Sequence, residues 1–200
     1  MAQKLIEGAA VIGQSGGPTA VINQSLVGVI EGLKGLKPIN RILGMRHGVD
    51  GLIRGLPLVD LTSTPHEVLD RVAKTPAAAL GSSRAKPTEA DGPKIFEACQ
   101  KNNIRYFFYI GGNDSSDTCR IVSELSKKTG YELRCFHIPK TVDNDLVVND
   151  HTPGFPSAAR YVALAFLGDD RDNASLPGIK INVVMGRHAG FLTAASALAR

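Results

Sequence analysis

The chain has 200 residues, 43% of them hydrophobic, and 23 lysines and arginines against 19 acidic residues give a net charge of +4. This composition predicts a globular protein with one core, or one domain and part of a second, and the scattered basic residues argue against nucleic acid binding. No apolar run reaches membrane-spanning length, and no signal or transit peptide is recognisable, so we expect no membrane partner and a cytoplasmic location.

Three apolar segments, each followed by a glycine-rich turn and a helix-like segment, alternate along the chain. They are GAAVIGQ before SGGPTAVINQSLVGVIEGLK, YFFYI before GGNDSSDTCRIVSELSKK, and INVVM before GRHAGFLTAASALA. Continuous apolar strands bounded by glycine are typical of a parallel sheet that is covered on both faces. The alternation predicts an α/β fold with a doubly wound, mostly parallel sheet, which binds ligands at the C-terminal ends of its strands.

The sequence also predicts a division into two domains. We expect a first α/β domain over residues 1–152 and the start of a second over residues 153–200. The polar segment 169–178, DDRDNASLPG, has the composition of a surface loop between a helix and the next strand. The chain ends at Arg200 within an apolar helical pattern that lacks a terminating glycine, so we expect the second domain to be truncated.

Two of the glycine-rich turns have features of a phosphate site. The turn at Gly16 and Gly17 follows a strand and precedes a helix, where backbone amides and the helix dipole favour an anion. A simple tight turn explains the glycine pair equally well. The second turn contains Asn113, Asp114 and Ser115, which place an amide, a carboxylate and a hydroxyl where a metal or a phosphate could bind.

The segment PKTVDND at 139–145 is the sharpest signal in the sequence. It brings Lys140, Thr141, Asp143 and Asp145 together after the strand-like LRCFHI. In an extended loop Thr141, Asp143 and Asp145 would point the same way. A turn with solvated charges is one interpretation. The other is a phosphoryl-transfer site, which needs a carboxylate to accept a hydroxyl proton, a second to hold magnesium and a cation for the phosphates.

Several motifs together resemble the phosphofructokinase family. SGGPTAVIN, LGSSR, YIGGNDS, PKTVDND, TPGFPSA and MGRHAG occur in the order and approximate spacing of that family, from residue 10 to residue 194. The resemblance implies a phosphofructokinase-like α/β fold and a transfer of phosphoryl to the C1 hydroxyl of fructose 6-phosphate. It also implies Mg²⁺ as the cofactor and a homodimer or homotetramer as the assembly.

The resemblance assigns the chemistry to PKTVDND. Asp143 matches the base that accepts the proton of the C1 hydroxyl. Thr141 matches a contact to the transferred phosphoryl group and the sugar. Asp145 matches a carboxylate that binds magnesium and lies at the substrate site.

Further positions match the binding residues of the family. Gly16, with Gly17 beside it, lies where the donor-binding glycine lies, and Arg84 of LGSSR matches an arginine that neutralises the phosphates of the donor. Met185, Gly186 and Arg187 match a strand end that contacts the sugar phosphate. We expect Ser115 to contribute to donor binding as well.

The identity of the donor depends on Asp114 and Lys140. Members of the family that use ATP resemble GGDGS and PGTIDND, so this chain has a carboxylate and a lysine where those members have glycines. A carboxylate and a lysine should crowd and repel an α-phosphate carrying a nucleoside, while the lysine can pair with pyrophosphate. The pattern resembles that of the pyrophosphate-dependent branch.

One position departs from the family pattern, and it bears on the alternatives. Asn113 stands where an aspartate usually helps to hold magnesium, and an amide is a weaker ligand for a hard cation. We expect Asp114 to compensate, so that metal binding is retained but altered.

An ATP-dependent enzyme and a non-catalytic regulatory homologue are the rival interpretations of the sequence. Residues 1–200 alone are expected to be inactive.

Overall fold

The computed structural model describes residues 5–199, which divide into two compact units. The first unit ends at Pro139 and the second begins at Lys140. The sequence predicts the division after Thr152 instead. The loop after Pro139 joins the second unit because its residues bond with later ones: the Thr152 hydroxyl donates to the Thr141 carbonyl at 2.6 Å, and Thr141 forms an isolated parallel bridge with Gly154. The boundary between donor and sugar-phosphate domains stays a prediction.

The first unit contains a five-stranded sheet in the order β3-β2-β1-β4-β5. Parallel pairing joins β1 to β2, β1 to β4 and β4 to β5, and only β3 runs antiparallel, against β2. The sequence prediction of a mostly parallel sheet is therefore confirmed. The strands are β1 Gly8–Gln14, β2 Ile39–Gly44, β3 Val59–Asp60, β4 Ile104–Gly111 and β5 Arg134–Pro139.

Each face of this sheet has its own apolar core. Because side chains alternate along a strand, Val11 and Phe107 enter one core while Ile12 and Tyr106 enter the other. Helices α2, α4 and α5 cover the first core, and α1 and α3 cover the second. These helices are α1 Ile22–Leu33, α2 Gly48–Ile53, α3 His66–Lys74, α4 Gly92–Lys101 and α5 Asn113–Thr129.

Helices are the regular secondary structure of the second unit among its described residues, and they are separated by irregular segments. It contains α6 Phe155–Ser175 and α7 Phe191–Ala195, followed by a 3₁₀ helix at Ser196–Ala199. The prediction of a loop from 169 is wrong up to Ser175, because α6 continues and its Asp169 accepts a hydrogen bond from Asn182 at 2.6 Å. The predicted strand INVVM is not formed, since residues 181–185 have no neighbouring strand to pair with.

No helix among residues 5–199 combines the length and the apolar character required to cross a membrane.

Candidate functional site

The turn between β1 and α1 is fixed to the segment that carries Arg84. Gly16 has a φ of 75°, a region that favours glycine. Its amide donates to the carbonyl of Ser83 at 2.9 Å, and the hydroxyl of Ser82 donates to the carbonyl of Gly16. Gly16 was expected to offer its amide to a phosphate, but in this structure that amide bonds to the neighbouring loop.

A pair of buried amides extends this attachment. The Gln14 Nε2 atom donates to Asn23 Oδ1 at 2.8 Å, and both side chains are buried. Gln14 Oε1 accepts from the amide of Leu80 at 2.9 Å, while Asn23 Oδ1 accepts from the amide of Ala79 at 2.9 Å. Buried polar groups of this kind are costly unless they are paired, so the network fixes the path of the chain that leads to Arg84.

The turn between β4 and α5 lies against the first one. The hydroxyl of Ser15 donates to the carbonyl of Ile110 at 3.2 Å, and the hydroxyl of Ser115 contacts Ser15 Oγ. A Cβ atom at Gly111 would lie 2.0 Å from Ser115 Oγ and 2.6 Å from Ser15 Oγ, so any other residue here would force the two serine hydroxyls to move. Because its hydroxyl packs in this way, Ser115 forms part of the wall of the site.

The two turns enclose a small cavity of about 30 Å³. The guanidinium of Arg84 lies beside Gly17, where a Cβ would be 3.9 Å from its Nη2 atom. Tyr109 forms part of the lining, and its hydroxyl accepts a hydrogen bond from the amide of Val49 at 3.2 Å. Burial raises the pKa of this tyrosine. The cavity is lined by Ser15, Gly16, Ser83, Arg84, Ala85, Tyr109, Asp114, Ser115 and Thr118.

Asp114 lies in the first turn of α5, at the positive end of the helix dipole. Its Oδ1 atom is 2.8 Å from the Nζ atom of Lys86, which is also 3.3 Å from Oδ2 of Asp117. The hydrogen bonds that Lys86 donates to these two carboxylates raise its pKa above the ordinary value. The Asp114 carboxylate, which is predicted to line the donor site, is therefore paired with the ammonium group of Lys86.

Pro139 of PKTVDND ends β5, and residues 140–145 bend at the start of the second unit, so the expectation of an extended loop is wrong. The amide of Asp143 donates to Thr141 Oγ1 at 3.1 Å, and Asn144 has a left-handed φ of 58°. Asn144 Oδ1 accepts from the amide of Thr152 at 2.9 Å, which secures the turn. The alternation that would point Thr141, Asp143 and Asp145 the same way does not apply to this backbone.

Asp143 has the most unusual environment in the turn. Its Oδ1 atom is buried and has no hydrogen-bond partner among the described residues. Gly186, with a φ of 93°, lies beside it, since a Cβ there would be 3.8 Å from Asp143 Oδ1. The structure thus brings a predicted base together with one of the predicted substrate residues. A buried carboxylate oxygen without a donor is costly, so it is suited to accept a proton or a hydrogen bond from a ligand.

The remaining predicted residues differ in exposure. Lys140 is only 5% exposed, whereas Met185 is 61% exposed. Asp145 and Arg187 are exposed, and the Nε atom of Arg187 donates to His188 Nε2 at 3.2 Å. The predicted site residues are divided between the units. The second unit contains Lys140, Asp145, Met185 and Arg187, and the first contains Gly16, Gly17, Arg84, Asn113, Asp114 and Ser115.

The residues predicted to bind magnesium have the right chemistry and are divided between the two units. Asn113 and Asp114 in the first unit and Asp145 in the second offer oxygen atoms, which hard cations prefer. Among residues 5–199, no three histidine, cysteine or acidic side chains converge as a metal site. The unpartnered Oδ1 atom of Asp143 is a further oxygen ligand compatible with a cation.

Sequence reasoning missed Gln14, Asn23 and Lys86. Gln14 could have been noticed, because it is a polar residue at the end of an apolar strand and a buried amide needs partners. Asn23 follows the first turn without any such signal. Lys86 looked like one more scattered charge, because its partner Asp114 is distant in sequence.

Comparisons with known proteins agree on one family. The sequence model described as Phosphofructokinase matches residues 9–200. A pyrophosphate--fructose 6-phosphate 1-phosphotransferase of Rhodospirillum rubrum is 57% identical over 196 residues, covering 98% of this chain and 48% of the relative. One of Halomonas elongata is 44% identical over 201 residues, covering 95% of this chain and 48% of that protein.

A solved structure shows the same fold. The crystal structure of a pyrophosphate-dependent phosphofructokinase from Nitrosospira multiformis has a TM-score of 0.86 and 42% identity, and the match covers 96% of this chain and 49% of that one. The chain thus spans about half the length of the relatives that it matches.

Proposed function

This chain belongs to the phosphofructokinase family, and on that premise we propose that the protein transfers a phosphoryl group from pyrophosphate to the C1 hydroxyl of fructose 6-phosphate. The products are fructose 1,6-bisphosphate and orthophosphate. Because pyrophosphate is a less energetic donor than ATP, the reaction is reversible and can run in either direction in glycolysis. The names of the relatives at 57% and 44% identity support pyrophosphate over ATP as the donor.

The observation that carries the proposal is the environment of Asp143. Its buried Oδ1 atom lacks a hydrogen-bond donor, and a substrate hydroxyl would supply one. As the C1 oxygen attacks phosphorus, its proton passes to Asp143, a new P–O bond forms, and the bond to the departing orthophosphate breaks. General base catalysis by a positioned carboxylate contributes roughly a hundredfold or more.

Donor selection rests on residues of the first unit and on Lys140 of the second. The cavity of about 30 Å³ in the first unit is lined by Arg84, Asp114 and Ser115, which bring a cation, a carboxylate and a hydroxyl to the two turns. Arg84 and the N-terminal end of α5 favour a phosphate group there. Asp114 occupies space at the lining, and Gly16 and Gly17 allow close approach to the backbone.

Substrate positioning rests on the second unit. We assign Lys140 and Thr141 to the transferred phosphoryl group, and Asp145 to the substrate and magnesium. Met185, Gly186 and Arg187 follow as the contacts to fructose 6-phosphate, with Gly186 supported by its position beside Asp143. Catalysis of this kind depends mainly on positioning and on charge stabilisation.

Magnesium and assembly complete the proposal. Asp145, Asn113 and Asp114 would hold Mg²⁺, which when bound neutralises charge on the phosphates. Support for the cation comes from the oxygen atoms that these side chains offer and from the unpartnered Asp143 Oδ1. A cytoplasmic homodimer or homotetramer is the state that the family resemblance implies.

The proposal is tested by steady-state kinetics of the full-length protein with both donors. We expect kcat/KM for pyrophosphate to exceed that for ATP, with fructose 6-phosphate as the acceptor. Preference for ATP would support the ATP-dependent alternative. Binding of fructose 6-phosphate without turnover of either donor would support the regulatory alternative.

Two substitutions test the assigned donor residues. Asp114→Gly should weaken the discrimination against ATP, and adding Lys140→Gly should damage the use of pyrophosphate far more than that of ATP. The Lys140 effect should reach the order of a hundredfold in specificity, since Lys140 is only 5% exposed and charge interactions in a partly desolvated site are that large. The Asp114 effect should be smaller, since its side chain is 73% exposed. If the ratio of kcat/KM for pyrophosphate to that for ATP stays constant across wild type, both single variants and the double variant, these residues do not determine the donor.

A further inference from the structure

Asp114 has two tasks that conflict, if pyrophosphate is the donor. Its carboxylate must keep a nucleoside phosphate out of the cavity that it lines. The same negative charge would also repel pyrophosphate, whose own charge is at least as dense. A bare carboxylate at this place would therefore oppose both donors, and selection requires that its charge be offset without moving it away.

Lys86 meets both requirements. It lies two residues after Arg84, on the loop that borders the cavity, and its Nζ atom is 2.8 Å from Asp114 Oδ1. The side chains of Lys86 and Asp114 are 47% and 73% exposed, so both remain accessible from solvent. The ammonium group neutralises the carboxylate, and its hydrogen bond fixes the direction of the side chain.

A second carboxylate anchors Lys86 in this position. Asp117, one turn further along α5, places its Oδ2 atom 3.3 Å from Lys86 Nζ. Asp117 also faces Arg120, whose Nε atom is 3.9 Å from its Oδ1 atom, and Arg120 pairs with Glu124 at 2.8 Å. Lys86 is thus bound between two carboxylates on the first turns of α5, and one of them belongs to a charge network along the helix.

We propose that Lys86 is a positioning residue for donor selection, which holds the Asp114 carboxylate at the cavity and offsets its charge. Asp114 then excludes a nucleoside by the space that it occupies, while pyrophosphate is not repelled. The inference rests on the proposed function, since it concerns the choice between pyrophosphate and ATP. It differs from direct donor binding, because Lys86 acts through Asp114.

The test is a double-variant cycle in the full-length protein. Lys86→Met should raise KM for pyrophosphate about fivefold, the upper range for an exposed ion pair, with KM for fructose 6-phosphate unchanged. In the Asp114→Gly background the same substitution should have no effect on KM for pyrophosphate. Lys86→Arg should restore the wild-type value, because it keeps the charge and the pairing.

Lys74→Met is the matched control. Lys74 is exposed and pairs with one carboxylate, Asp70, at 2.7 Å on α3, so its loss should leave both KM values unchanged. An unchanged KM for pyrophosphate in Lys86→Met overturns the inference. So does a fivefold effect that persists without Asp114, which would mean direct contact with the donor. If wild type prefers ATP, the proposed function itself has failed, and that result is visible before any variant is made.

Discussion

The two units of the chain differ in how completely their apolar segments are buried and paired as strands. In the first unit, apolar residues of β1 and β4 are almost completely buried on both faces of the sheet. In the second, Ile179, Ile181 and Val183 are 92%, 85% and 94% exposed. The same kind of apolar segment is therefore a strand in one unit and an unpaired, exposed segment in the other.

This difference shows what an apolar run requires to become a strand. Backbone groups of a strand need hydrogen-bond partners, and β1 has one neighbour on each side, β2 and β4. Residues 179–183 pair with no strand of the described chain. The two units also contribute different chemistry, because the first positions the candidate donor site and the second carries the candidate base.

The largest expected effect tests the chemistry of the second unit. Asp143→Asn removes the proton acceptor while keeping the shape of the side chain. In the full-length protein kcat should fall at least about a hundredfold, with KM for fructose 6-phosphate little changed, since general base catalysis acts on the transition state. Steady-state kinetics measure both constants.

The exposed Asp150 of the same loop provides the control for that substitution. Asp150→Asn makes the same change of charge and should leave kcat unaltered. A nearly normal kcat in Asp143→Asn, or an equal loss in both variants, would remove Asp143 from the role of base.

A smaller effect tests the difference in packing. Ile12→Val in the 200-residue chain should lower the free energy of unfolding by about 0.5–1.5 kcal/mol, because Ile12 is completely buried. The identical change at Ile181, which is 85% exposed, should cost less than about 0.5 kcal/mol. Urea denaturation compares the two. Equal losses would show that Ile181 is packed as tightly as the core of the first unit.

The smallest effect is a pH dependence in the first unit. The Nε2 atom of His137 donates to the carbonyl of Gly111 at 3.0 Å, and burial lowers the pKa of this histidine. The unfolded chain therefore takes up a proton first as the pH falls. The contribution of neutral His137 to the free energy of unfolding is fully present above the ordinary histidine pKa of about 6.5. It is lost as the pH falls from there toward the lower pKa of the folded state.

Urea denaturation at pH 7.5 and 5.5 measures this contribution. Wild type should lose more stability between the two pH values than His137→Gln, which keeps a donor for Gly111 but cannot titrate. The same loss in both proteins would show that His137 does not contribute to the pH dependence.

The sequence predicted the parts of the fold and site that depend on local pattern. Buried strands bounded by glycine predicted the parallel sheet, and PKTVDND identified Asp143 as the candidate base. A turn was one of the two interpretations of PKTVDND, and Asn144 adopts the left-handed conformation that asparagine tolerates in turns. Lys86 could not be found, because its pairing with Asp114 exists only after the loop and α5 come together.

The proposed function requires that pyrophosphate alone can supply the phosphoryl group. The direct measurement is ³¹P NMR of the full-length protein with fructose 6-phosphate, magnesium and pyrophosphate, in the absence of nucleotide. We predict a new sugar phosphate monoester resonance that grows in equal amount with orthophosphate as pyrophosphate disappears. No reaction under these conditions, followed by formation of the bisphosphate when ATP is added, would contradict the account.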